Sequence, residues 1–333
     1  MAEAAEPSTD ALDRAAEVLG SAPIVALACH VNPDADALGS MLGLSNFLRE
    51  RSAETVCSFG NEPLDVPRWA ELLPGIDALV EAKDFPAAPD VFVTCDAASL
   101  DRLGALAHVA GKARDVIWID HHISNEGLGT IPLIDPTASS TAEVVYRLLG
   151  RIGGEISSAS AICLYAGLVT DTGRFQYGAT RPETLRIAAD LRERPFDHVS
   201  LAQALYEDGS ARYLRLLSTA LGRITLEEDR DLVWTYLTQA DLADAGVAPS
   251  ETDDLIDLVR TAREADVAAV VKQQRDGRFK VSMRSRGGHD VAAVAASFGG
   301  GGHRLAAGYT SKGGLAETVE RLRAALADAS SAP

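Results

Sequence analysis

Five short apolar runs constrain this chain most: Ile24 to Ala28, Thr55 to Phe59, Val91 to Cys95, Val116 to Ile119 and Ile131 to Ile134. They are continuous and partly β-branched, as strands covered on both faces tend to be. Between or after them lie stretches with helical periodicity, Leu38 to Arg51, Ser139 to Ile152, Ser157 to Thr170 and Pro182 to Arg192. Strands interleaved with helices predict an α/β domain with a mostly parallel sheet. Such sheets collect their functional groups outside the carboxyl ends of the strands. Acids and histidines fall at those ends here: His30, Asp34 and Asp36, then Asp96, then Asp120-His121-His122, and Asp171 after the apolar helix ICLYAGLVT.

At 333 residues the chain is too long for one typical core and suits two domains. From 197 to 221 the pattern is helical, with Ser210 a plausible N-cap, and reads as a connector after a first domain at 15–196. The remainder, 222–330, changes character. ITLEE and LVWTYLT flank an acidic turn, while VAAVVKQQ and RFKVSMRS flank Asp276-Gly277, a hairpin turn signal. A short helix (Asp290 to Phe298), a glycine run and a final helix (Leu315 to Asp328) complete a smaller α/β domain with a mixed sheet. The Ala/Ser/Pro-rich ends are expected to fray.

No apolar run approaches the length of roughly eighteen residues that a membrane span needs. The first residues carry acids where a secretion signal needs a basic region and an apolar core, so a cytoplasmic protein is expected. Cys29, Cys57, Cys95 and Cys163 sit inside apolar runs with no C-x-x-C pair, which fits buried reduced thiols. The net charge of −17 lacks the broad basic footprint that holds long duplex nucleic acid. A polyanionic substrate must then be small, or held locally by metals and a few arginines.

Hard divalent cations favour oxygen ligands, and imidazole beside carboxylates tilts the choice from Mg²⁺ toward Mn²⁺. Taken singly, Asp34 and Asp36 are equally well explained as turn and helix-cap residues, and Asp96 as a turn acid. Together the set supplies enough ligands for two ions, with a group to spare. An ion pair about 3.5–4 Å apart suits hydrolysis of a phosphoester by an activated hydroxide. Three of the seven histidines fall in this set and a fourth, His303, in the glycine run that follows, which argues against scatter. A second signal is Phe298-Gly299-Gly300-Gly301-Gly302-His303-Arg304, whose glycines allow close backbone approach to an anion. Upstream, Arg284 in Ser282-Met283-Arg284-Ser285 is suited to bidentate binding of a phosphate or carboxylate.

These motifs in this order, HVNPDADALGS, TCD, DHH, TDTGRF, SMRS and GGGGHRLAAG, resemble the DHH phosphoesterase superfamily. Within it they resemble the bacterial group of oligoribonucleases and 3′-phosphoadenosine 5′-phosphate phosphatases. The resemblance implies two Mn²⁺ ions, with Mg²⁺ or other divalent ions as substitutes. One would be held by His30, Asp34 and Asp96, the second by Asp36, Asp96, His121 and Asp171. It also implies a catalytic His122 supported by Asp120. A substrate grip of Arg284, Ser285, Gly301, Gly302 and His303 would close a cleft between the two domains. Short oligoribonucleotides such as pApA, 3′-phosphoadenosine 5′-phosphate and cyclic di-AMP are the implied substrates, acted on by a homodimer. One departure is that Asp34-Ala35-Asp36 stands where the family has Asp-Gly-Asp. A manganese-dependent inorganic pyrophosphatase and a catalytically silent nucleotide-binding module are the competing expectations.

Overall fold

The computed structural model describes residues 7–125 and 127–330 and divides into two compact units, Met1–Asp208 and Gly209–Pro333. In chain order the first holds α1 (Thr9–Ser21), β1 (Ile24–Cys29), α2 (Ala35–Arg49), β2 (Glu54–Phe59), β3 (Val91–Cys95), α3 (Ala107–Ala110), β4 (Asp115–Asp120) and β5 (Ile131–Ile134). Four helices follow: α4 (Thr141–Ile152), α5 (Ser158–Asp171), α6 (Pro182–Arg192) and α7 (His198–Tyr206). The five strands pair in parallel in the order β2-β1-β3-β4-β5.

Both faces of this sheet are covered, which is why its strands read as unbroken apolar runs. Val25, Leu27, Cys29, Val93, Cys95, Ile117 and Ile119 pack on the side of the long helices. Ala26, Ala28, Phe92 and Trp118 face the other way, against Phe85, Leu103, Leu106 and Val109. The α/β expectation holds, with two local differences. A capped helix at residues 9–21 starts before the expected domain boundary at 15: Ser8 accepts a hydrogen bond from the Ala11 N–H, and Ala15 and Leu19 are buried; the ends expected to fray fall largely on residues 1–6 and 331–333, outside the described residues. The segment read as a connector contains the break between units, so α7 belongs to the first and the next helix to the second.

The second unit contains α8 (Ala211–Leu221), β6 (Thr225–Glu227), β7 (Leu232–Leu237), α9 (Gln239–Ala245), α10 (Leu255–Val259), β8 (Val267–Gln273) and β9 (Phe279–Ser285). It ends with α11 (Val291–Ser297), β10 (Gly301–His303), β11 (Ala306–Ser311) and α12 (Leu315–Ser330). Its mixed sheet runs β10-β11-β9-β8-β7-β6, with only β7 and β8 parallel. Among the described residues no helix is long and apolar enough to cross a membrane. All four cysteines are buried and unbridged.

Candidate metal centre and phosphate-binding hairpin

In the first sheet the strand order reverses at the β1/β3 pair, the place where open α/β sheets form a crevice outside their carboxyl ends. His30 is the first residue after β1 and Asp96 the first after β3; Asp120 closes β4 and is followed by His121 and His122. Asp34 is the N-cap of α2, its Oδ1 accepting the N–H of Asp36 at 3.1 Å and of Ala37 at 3.0 Å. That cap starts the helix three residues earlier than its apolar pattern indicates, so Asp36 lies in the first turn rather than on a loop. Asp171 is the last residue of α5.

These side chains converge. Asp96 Oδ2 lies 3.4 Å from His30 Nε2, while Asp96 Oδ1 lies 3.7 Å from His121 Nε2 and 3.5 Å from His122 Nδ1. His30 Nε2 is also 3.8 Å from Asp34 Oδ2, and His121 Nε2 is 3.2 Å from Asp171 Oδ2. Three groups of donor atoms each fit within 4.8 Å: His30, Asp34 and Asp96; Asp36, His121 and Asp171; and Asp96, His121 and His122. Asp96 itself has φ of 59°, a left-handed conformation that Asp tolerates better than most residues. Its N–H is anchored on the Ile119 carbonyl at 2.9 Å.

The electrostatics call for positive charge. Burial, then the neighbouring carboxylates led by Asp96, push Asp36 and Asp171 well above the usual carboxylate range. Burial pulls the His30 imidazolium down, but Asp34 and Asp96 outweigh it and hold the pKa at about 10. His30 Nδ1 donates to the Val31 carbonyl at 2.9 Å, which turns Nε2 toward the carboxylates. Carboxylates crowded with imidazoles in a buried place form a donor set that fits a divalent cation, and mixed N/O donors suit Mn²⁺.

Asp120 is engaged differently. Wholly buried, its Oδ1 accepts the N–H of His121 (2.8 Å) and of His122 (3.2 Å) and lies 2.7 Å from His122 Nδ1, while Oδ2 accepts from Asn125 Nδ2 at 2.7 Å. These bonds make it an orienting group for His122. Burial lowers the His122 pKa, but Asp120 first and then Asp96 raise it to about 9. Asn125 was not legible in sequence, because an Asn in a Ser-Asn-Glu-Gly loop reads as turn chemistry.

A buried ionic network lies behind the site, also unread in sequence. Glu143 on the first turn of α4 accepts from Ser139 Oγ (2.7 Å), Thr184 Oγ1 (2.9 Å), Arg147 Nη2 (2.6 Å) and Arg181 Nη2 (2.5 Å). Arg147 also reaches buried Asp135 at 2.6 Å. Close helix packing completes the frame: a Cβ at Gly167 of α5 would stand 2.6 Å from Asp36 Oδ1, so only glycine leaves that carboxylate in place.

In the second unit, antiparallel register sets Arg284 of β9 opposite Ala306 of β11, and Ala306 opposite His303 of β10. Arg284 is partly exposed, with Nε 3.6 Å from Asp257 Oδ1. The glycine run is more ordered than a turn, since Gly301 to His303 form a short exposed strand. A Cβ at Gly302, where φ is 139°, would meet the Ala306 carbonyl oxygen at 2.5 Å, and one at Gly300 would meet that of Gly308 at 2.2 Å. Ser285 departs from the expected substrate-binding set. Side chains alternate along a strand, so Ser285 falls on the inner face with Val281 and Met283. It is buried and donates to Asp266 at 3.0 Å.

The description "DHH family, N-terminal domain" matches residues 24–168, and "DHHA1 domain" matches 232–332. The chain is 34% identical over 297 residues to the bifunctional oligoribonuclease and PAP phosphatase NrnA of Thermus thermophilus, covering 89% of this chain and 87% of the relative. It is 29% identical over 283 residues to the protein of the same name in Bacillus subtilis, covering 84% and 86%. Among solved structures, an exopolyphosphatase-related protein from Bacteroides fragilis superposes with a TM-score of 0.89 at 26% identity, covering 96% of both chains. With both domain descriptions matched in order and this similarity running through nearly its whole length, the chain belongs to the DHH family.

Proposed function

We propose that the chain is a Mn²⁺-dependent phosphodiesterase and phosphatase of small nucleotides. It hydrolyses short 5′-phosphorylated oligoribonucleotides to nucleoside 5′-monophosphates and removes the 3′-phosphate of 3′-phosphoadenosine 5′-phosphate. The observation that carries this reading is the convergence of His30, Asp34, Asp36, Asp96, His121 and Asp171 at one sheet edge. The activity printed for the NrnA relatives, oligoribonuclease and PAP phosphatase, supports the substrate class.

His30, Asp34 and Asp96 would hold one cation, and Asp36, Asp96, His121 and Asp171 the other, with Asp96 common to both sets. When bound, the two ions supply charge neutralisation at the phosphoryl oxygens and a nucleophilic water at neutral pH. The attacking water releases one proton to solvent as its oxygen bonds to phosphorus, the bond from phosphorus to the ribose oxygen breaks, and that oxygen takes a proton from His122 Nε2. Asp120 orients His122 through Nδ1 and stabilises its charged form. Arg284 and the Gly301-Gly302-His303 strand take the substrate's terminal phosphate. Long RNA is a poor substrate, because a chain of net charge −17 offers little beyond this local grip. The enzyme works as a homodimer in the cytoplasm, a setting suited to its four unbridged thiols.

The test is purified protein with Mn²⁺ or EDTA, offered pApA, longer oligoribonucleotides, 3′-phosphoadenosine 5′-phosphate, cyclic di-AMP and pyrophosphate, with products separated chromatographically. Mn²⁺-dependent release of AMP from pApA is expected, and EDTA abolishes it. Release of phosphate from pyrophosphate alone overturns the reading. Arg284→Ala is expected to raise KM for pApA by about tenfold to a hundredfold, as loss of a charge-assisted hydrogen bond of about 1.5–3 kcal/mol requires, with kcat little changed. Arg284→Lys recovers part of this, since lysine keeps the charge without the bidentate fork. An unchanged KM for Arg284→Ala removes Arg284 from the substrate grip.

A further inference from the structure

Three hydroxyl residues precede and open α4, and each does something different. Ser139 Oγ donates to the Glu143 carboxylate at 2.7 Å, and Ser140 Oγ accepts the Glu143 N–H at 3.2 Å, so both serve the first turn of their own helix. Thr141 Oγ1 instead donates to Asp96 Oδ1 at 2.9 Å. The Thr141 N–H donates to Asp36 Oδ2 at 2.6 Å, and the next N–H, of Ala142, donates to Asp36 Oδ1 at 2.9 Å. Thr141 is wholly buried, and Asp36 and Asp96 nearly so.

From this we infer that Thr141 is a positioning residue for the metal centre, setting the rotation of the Asp96 carboxylate so that Oδ2 faces His30 and Oδ1 faces His121, the two groups of residues that would hold the cations. The geometry follows from what each atom can do. An ionised carboxylate only accepts, and a threonine hydroxyl has one proton to give. That proton fixes Oδ1 on the side of His121 and His122, which leaves Oδ2 on the side of His30, 3.4 Å from its Nε2. Rotating the carboxylate breaks the Thr141 bond in a buried place, where an unmade bond is expensive. The backbone of the same residue holds Asp36, so one turn of helix links carboxylates that sit 105 and 45 positions away in the chain. The Glu143 network keeps that turn from shifting.

The inference rests on the proposed metal site, and the experiment separates the two. Mn²⁺ binding is titrated by electron paramagnetic resonance on the wild type, Thr141→Val and Thr141→Ser, alongside kcat and KM for pApA. Valine keeps the shape and the backbone N–H but removes the hydroxyl; serine keeps the hydroxyl. Thr141→Val is expected to weaken Mn²⁺ binding by roughly tenfold or more, the range seen when bonds supporting metal ligands are lost. Its kcat falls and its KM holds, while Thr141→Ser binds Mn²⁺ like the wild type. Thr141→Ala removes the same hydroxyl with less bulk, and carries the same expectation if circular dichroism shows the valine variant unfolded. Wild-type Mn²⁺ affinity in the folded hydroxyl-free variant overturns the inference and leaves the metal site standing. So does a Thr141→Ser loss equal to that of Thr141→Val. A wild type that binds no Mn²⁺ overturns the metal site itself, and the inference with it.

Discussion

Asp96→Asn lowers turnover of pApA on the order of a thousandfold or more, at least about 4 kcal/mol of transition-state stabilisation, and weakens Mn²⁺ binding in parallel. The magnitude follows from where Asp96 stands. Among the described residues it is the one carboxylate with ion pairs within 4 Å to His30, His121 and His122 alike, and it also takes the Thr141 hydroxyl. In the proposed site no neighbour would replace a ligand common to both cations. Asparagine is the sharper variant because it keeps the shape, removes the charge and tolerates φ of 59°. Alanine would add about 1–2 kcal/mol of backbone strain unrelated to the chemistry. Asp96→Ala is expected to be inactive as well.

A control is built into the same variant. Asp96 is the largest electrostatic cause, after burial, that drives Asp36 and Asp171 above the usual carboxylate range. Removing its charge relieves that repulsion but also loses the attraction to His30 and His122, so the two effects oppose and the metal-free variant is expected to stay folded and melt near the wild-type temperature while its activity is lost. Calorimetry in EDTA, set beside kcat in Mn²⁺, separates this from misfolding. Full activity in Asp96→Asn and Asp96→Ala would show that Asp96 is not the shared ligand.

Glu143→Ala destabilises the first unit by about 3–5 kcal/mol, the usual consequence of breaking a buried charge pair from one side. Glu143 is wholly buried and its oxygens accept from Arg147, Arg181, Ser139 and Thr184. Its loss leaves Arg181 without this carboxylate and Arg147 with Asp135 and the exposed Glu183. For a unit of this size the melting temperature drops on the order of 10 °C. Glu143→Gln keeps most of the packing and falls between. Because the same turn carries Thr141, the alanine variant also loses Mn²⁺ affinity although Glu143 is no part of the donor set. A change in unfolding free energy below about 1 kcal/mol, the scale of an exposed pair, would mean that the network is already solvated.

Much of this was readable in the chain because the signals are local. Buried parallel strands must be continuous apolar runs, and the groups at their ends must emerge at one edge, so His30, Asp96, Asp120, His121 and His122 could be singled out without coordinates. The Asp276-Gly277 hairpin and the helix opening at Pro182 were legible for the same reason, since turn and cap chemistry needs only neighbouring residues. Other features were hidden. Asn125 reads as a turn, Glu143 as an ordinary acid near a helix start, and Gly167 as a weak helix former. Each matters through a partner distant in sequence or on another element. The family resemblance implies Ser285 in the substrate grip, yet strand alternation turns it inward to Asp266.

Hydrophobic period and residue chemistry are properties of short segments, so the architecture, the family and the acids and imidazoles at the sheet edge could be read from the chain alone. How those groups are held emerges from the packed fold: which oxygen of Asp96 faces which histidine, how Asp120 engages His122 and Asn125, and which of three successive hydroxyls reaches the carboxylates. For Asp36 and Asp96 the deciding hydrogen bonds span 105 and 45 residues. Their direction is set by how helices and sheet pack, which no local pattern records.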